Sequence, residues 1–196
     1  VESEPGNLPL LEFALTQLWE RQQGGLLTHA AYEAIGEVEG ALVRYADRVY
    51  EGLSEPEQEQ ARQVFVQLVR PGEGTEDTRR PATRAELGEG HWPLVQKLAD
   101  ARLVVTGRDP AGREAVEIAH EALIQRWGDL RAWMEENRDF RMWQERLRAA
   151  LRQWEGSGRD TGALLRGVPL AEAEEWLGVR SDSLSSDERV YIRESV

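Results

Sequence analysis

The sequence predicts a mainly α-helical chain with one small β-hairpin. Apolar residues recur at spacings of three and four along most of its length. Ser/Thr-x-x-Glu capping signals stand at Ser54–Glu57 and Thr83–Glu86, and only one place sets β-rich runs on either side of a turn. Taken in order, Leu8 to Arg21 places Leu8, Leu11, Leu15, Leu18 and Trp19 on an amphipathic stripe. Pro9 sits in its first turn, where a missing N–H costs nothing, and Gly24-Gly25 ends it. Thr28 caps a short helix carrying Ala31, Tyr32 and Ile35, and Gly36 closes it. Val38 to Leu53 adds a third helix with Leu42, Tyr45, Val49, Tyr50 and Leu53 on one face.

Ser54 and Glu57 then open a helix bearing Val64, Phe65, Leu68 and Val69, which stops before Pro71-Gly72. The polar stretch Gly72 to Arg80 supplies a short edge strand. Thr83 and Glu86 start a brief helix, and Trp92 to Arg102 forms the next. Leu103 to Thr106 and Glu114 to Ala119 read as strands about the turn GRDPAGR (residues 107–113). Helix, short strand, helix, helix, hairpin is the order of a winged helix. From His120 the chain returns to helix, with Leu123, Ile124, Trp127, Leu130, Trp133 and Met134 on one face and Phe140, Trp143, Leu147, Leu151 and Trp154 on another. Gly156-Ser157-Gly158 breaks it, and Leu170 to Leu177 and Ser186 to Glu194 follow as shorter helices, Ser186 being the expected cap. These readings divide the chain into a helical bundle (1–53), a winged helix (54–119) and a helical linker (120–196).

Composition narrows the function. With 40% hydrophobic and 31% charged residues the chain of 196 is globular, and the absence of cysteine excludes disulfides, thiolate metal sites and cysteine nucleophiles. That fits a reducing, cytoplasmic setting. No apolar run approaches the length of a bilayer span, the acidic start VESEPGN lacks the marks of a signal peptide, and a beginning without Met is what a fragment would show. The net charge of −12 opposes attraction to phosphate backbones or anionic lipid, and no third of the chain is basic.

Enzyme signatures are missing. There is no Gly-x-x-x-x-Gly-Lys-Ser/Thr loop, no Gly-x-Gly-x-x-Gly after a strand and no His-Glu-x-x-His, and His29, His91 and His120 fall in three different elements. The carboxylates mostly occupy polar helix faces, as solvated surface does. The tryptophans share the helical phase of Leu and Met and read as packing residues rather than base-stacking platforms. A winged helix could bind DNA, yet its recognition helix offers only Lys97 and Arg102 beside Asp100, and Arg79, Arg80 and Arg84 form the one basic cluster.

Four strings, GNLPLLEFAL from Gly6, GEGTEDTRR from Gly72, VEIAHEALIQRW from Val116 and GALLRG from Gly162, closely resemble the novel STAND NTPase domain of bacterial WD-repeat proteins. The resemblance implies a P-loop ATPase core upstream, then a helical lid, a winged helix and a helical connector, then signal-receiving repeats. In related STAND proteins a Gly-Leu-Pro-Leu motif packs its Pro by the nucleotide base and a Met-His-Asp motif points its His at the ADP β-phosphate. Pro9 and His120 hold the matching positions, with Asn7 beside Leu-Pro-Leu and with Ala119 and Glu121 around the histidine. The implied role is non-catalytic and regulatory. The fragment itself would hold no cofactor, while ADP or ATP with Mg would bind the full-length protein. Its partners would be the ATPase core and repeat domain of the same polypeptide and an oligomer formed on activation, with no membrane and no nucleic acid. Plain alternatives are that His120 caps or packs its helix, that Pro9 merely favours a helix start, and that the chain is a DNA-binding regulator or a structural scaffold.

Overall fold

A computed structural model describes residues 7–22, 24–35 and 37–196, with side chains for all of these except 7–10, 12 and 37–39. Helix accounts for 67% of it and strand for 9%, so the fold is mainly α. Helices α1 (Asn7–Glu20), α2 (His29–Ile35) and α3 (Glu37–Glu51) come first. Thr28 Oγ1 accepts from the Ala31 amide (3.1 Å), the expected cap of α2. Gly36 lies outside the described residues.

The packing face of α1 differs from the expected stripe. Ala14, Gln17 and Leu18 are buried, whereas Leu11, Leu15 and Trp19 are 40%, 48% and 60% exposed. These three lie one turn apart on a neighbouring face that stays about half open, because α1 turns Phe13 and Gln17 towards α3. The Phe13 ring meets Tyr45 edge-on at 5.1 Å, and Gln17 Oε1 accepts from Arg48 (3.1 Å).

Helix α4 (Glu55–Gln67) opens on the predicted capping box: Glu57 Oε2 accepts from the Ser54 amide (2.9 Å) and hydroxyl (2.8 Å). It ends three residues earlier than the sequence suggests, because Val69 and Arg70 leave the helix as strand β1 and pair with β2 (Thr78–Arg79). The expected edge strand therefore turns back on α4. The strand that joins the hairpin is instead β3 (Ala82–Thr83), followed by α5 (Arg84–Leu87) and α6 (Trp92–Asp100). The hairpin strands β4 (Val104–Arg108) and β5 (Glu114–Ile118) form with β3 an antiparallel sheet ordered β3-β5-β4. Asp109 closes the hairpin turn by accepting from the amides of Ala111 and Arg113.

Helix α7 (Ala122–Arg126) is separated by Trp127 from the 29-residue α8 (Gly128–Gly156); α9 (Val168–Arg180) and α10 (Ser186–Ser195) complete the chain. The cap of α10 is Ser185 rather than Ser186, since its hydroxyl accepts from the Glu188 amide at 3.2 Å. Among the described residues three apolar cores result. The largest gathers α3, α4, α6, the hairpin, α7 and the start of α8 around Trp127. A second lies between the far half of α8, α9 and α10, and a small one between α1, α2 and α3. Trp133, Trp143 and Trp154 are buried on α8, as their helical phase predicts, and Trp127, in the extended break between α7 and α8 rather than within the single helix expected, is buried as well. Among the described residues no helix is long and apolar enough to cross a membrane.

Candidate functional site

Strand β5 is the centre of its sheet, and the Ala119 amide prolongs it by donating to the Leu103 carbonyl (3.0 Å). The chain then bends at His120, whose carbonyl accepts from the Leu123 amide (3.0 Å) and so starts α7. The bend leaves the His120 ring half-buried against Phe13 of α1, centroid to centroid 6.1 Å. Phe13 stands one turn beyond Pro9, so the helix that carries Pro9 packs directly on His120. The Pro9 side chain itself lies outside the described residues.

Burial, and after it the charge of Arg79, hold the His120 pKa below its ordinary value of 6.5, which keeps the imidazole neutral at pH 7. A neutral imidazole has one N–H to donate and one nitrogen to accept with. An anion brought beside it would favour the charged form, so the ring is suited to report on one.

Arg79 was legible only as one of three neighbouring arginines. The fold separates them. Arg80 is 7% exposed and bonded to Glu86, Glu145 and the Gln67 carbonyl. Arg84 is tied to Glu89 and Glu114 and lies over the Trp92 ring. Arg79 is exposed and forms no ion pair among the described residues. Its approach to His120 depends on the 72–79 loop, which is held at three points. Asp77 accepts the Gly72 amide (2.9 Å) and a two-pronged contact from Arg138 of α8 (3.1 and 3.0 Å), while Glu76 accepts from Gln125 of α7 (3.2 Å). Glycine is needed at 72, because an added Cβ would lie 2.2 Å from the Thr75 carbonyl oxygen.

The other histidines stand elsewhere. His29 is exposed at the start of α2 and His91 bonds Gln63 (3.1 Å). Among the described residues no three His, Asp or Glu converge as a metal-ligand set. On α6, Lys97 is engaged by Glu57 (3.0 Å). A groove of about 930 Å³ runs between α4, the α5–α6 turn and the start of α10, past Gln67, Leu87, Phe140 and Leu184, and its lining includes neither His120 nor Arg79.

The family model for Novel STAND NTPase 1 matches residues 1–162. The chain therefore belongs to the Novel STAND NTPase 1 family. No curated protein and no solved structure matches it.

Proposed function

We propose that this chain is the non-catalytic regulatory part of a STAND-type signalling ATPase. In this reading residues 1–53 are a helical lid, 54–119 a winged helix and 120–196 a linker. They sense ADP or ATP, with Mg, held by a P-loop core earlier in the same polypeptide and pass the state of that core to downstream repeats, as in cytoplasmic bacterial WD-repeat proteins that assemble on activation. The observation that carries the reading is the contact of Phe13 with His120. It joins two elements 107 positions apart, each bearing one of the two motif residues, Pro9 and His120. The exposed stripe Leu11, Leu15 and Trp19 on α1 supports it as well, being an apolar face of the kind that another domain covers. Sensing then means that the lid and His120 touch nucleotide in one conformation and not in the other. The DNA-binding alternative draws no support from Lys97 or Arg84, both already engaged by carboxylates.

The test is His120→Ala in the full-length protein. A hydrogen bond to a charged phosphate is worth about 1.5–3 kcal/mol, so ADP should dissociate roughly ten- to a hundredfold faster, with little change in the melting temperature of the nucleotide-free protein. Unchanged ADP release with a lowered melting temperature would make His120 a packing residue.

A further inference from the structure

The two larger cores share α8 but no apolar side chain: Leu130, Trp133 and Met134 belong to one, Phe140, Trp143, Leu147, Leu151 and Trp154 to the other. What joins them across the middle of α8 is a buried polar network. Arg141, fully buried, donates to the carbonyls of Val66 (3.2 Å) and Val69 (3.0 Å), where α4 gives way to β1, and to Gln144 Oε1. Arg148 donates to Gln67 Oε1 (2.7 Å), to Glu145 (3.0 Å) and to Glu188 (2.6 Å). Gln144 donates to Glu188 (3.0 Å) and to the Ser183 carbonyl (3.2 Å). Arg80 closes the ring through Glu86, Glu145 and the Gln67 carbonyl. Three buried or nearly buried arginines, 80, 141 and 148, face the carboxylates of Glu86, Glu145 and Glu188.

Glu188 has two roles at once. It is 1% exposed, and its Oε2 accepts from the Ser185 amide (2.8 Å) as the reciprocal half of the capping box that starts α10. Formation of the first turn of α10 and neutralisation of Arg148 therefore depend on the same group. Withdrawing the Glu188 carboxylate leaves three buried or nearly buried arginines, 80, 141 and 148, facing only Glu86 and Glu145, so intermediate positions of α10 are disfavoured and the element is either seated or released. The contacts continue towards the 72–79 loop, because Arg138, one turn before Arg141 on α8, grips Asp77.

We infer that mid-α8 is a two-position joint in which Glu188 of α10 decides whether residues 66–80 stay ordered on the central core. A load applied to the C-terminal helices would reach the 72–79 loop through it. Helices α9 and α10, at 168–195, lie beyond the matched residues 1–162, yet they supply the carboxylate that completes this joint. The joint holds whether or not His120 binds nucleotide.

Hydrogen exchange on this chain tests it, with Glu188→Gln, which keeps an acceptor for the Ser185 amide but loses the charge, and with the paired apolar replacement Arg148→Met/Glu188→Leu. Glu188→Gln should speed exchange about tenfold or more both in 183–195 and in 66–80. The paired replacement, leaving no unmatched charge, should return 66–80 to within a few fold of wild type. Arg146→Ala, which removes an exposed pair with Glu172, should leave 66–80 unchanged. Faster exchange confined to 183–195 in Glu188→Gln, or equal loosening of 66–80 in Glu188→Gln and the paired variant, would overturn the joint.

Discussion

The aromatic centre around Trp127 and the ionic joint around Arg141 both bring distant segments together, and they do so by opposite means. At the first, the fully buried Trp127 ring meets Phe65, Trp133 and Tyr50 with centroids 5.1, 5.3 and 6.1 Å away, and the indole N–H donates to Asp47 (2.8 Å). At the second, almost every contact is polar, and burial pushes the Arg141 guanidinium down to about 9, still charged at neutral pH. Apolar contact adds up roughly with area, at about 25 cal/mol per Å². A charged network instead costs several kcal/mol to desolvate and regains it only when each member is satisfied. The aromatic centre thus supplies stability, whereas the joint supplies a choice between arrangements.

The largest effect expected from this contrast is at Trp127. Trp127→Ala should lower the unfolding free energy by about 3–5 kcal/mol, and Trp127→Phe, which keeps most of the ring area and loses the bond to Asp47, should cost distinctly less. Urea titrations at unchanged slope measure both, and a loss under about 1 kcal/mol for the alanine variant would erase the distinction between the two regions.

Gly72→Ala probes the loop that connects the joint with His120. Its added methyl meets backbone rather than a movable side chain, so a cost of about 1–3 kcal/mol is expected. Amide exchange should rise chiefly in 71–79, and a wild-type loop in the variant would show that the Thr75 carbonyl can yield.

The smallest effect is at the exposed capping box of α4. Hydrogen bonds from the Ser54 amide and hydroxyl, then from Lys97, hold the Glu57 carboxyl at about 2, against 4.5 in a free side chain. Because the folded value is the lower one, this stabilisation is complete above pH 4.5 and is lost as the pH falls through 2. Carboxyl NMR should therefore show Glu57 titrating well below the other exposed glutamates. A midpoint near 4.5 would mean that the box is open in solution.

Much of this fold was legible beforehand because local chemistry decided it. The turn residues of GRDPAGR, the capping box at Ser54, the N-cap at Thr83 and the helical phase of Trp133, Trp143 and Trp154 each specify their own element. The 72–80 segment holds the short strand expected of it, at Thr78–Arg79, but its partner was not legible, because pairing with Val69 or with the hairpin is chosen by tertiary contacts such as Asp77–Arg138. The stripe on α1 was misjudged because periodicity names an apolar face without saying what covers it. Least visible was the joint: Glu145 and Glu188 fell among the carboxylates read as solvated surface, and nothing had singled out Arg141 or Arg148. The one available signal was that Arg141, Gln144 and Arg148 repeat at three and four beside the Trp143 and Leu147 stripe. Of the candidate site, His120 and Pro9 were visible through motif resemblance, whereas Arg79, exposed on β2, could be singled out only once the fold had paired off Arg80 and Arg84.

Nucleotide sensing by His120 is tested most directly by following its imidazole resonance against pH in the full-length protein, with and without ADP. Burial and Arg79 place the nucleotide-free midpoint below 6.5. A phosphate beside the ring favours the protonated form, so ADP should move the midpoint upward, and the β-phosphate ³¹P signal should shift with the same midpoint. An identical titration with and without ADP would contradict the account.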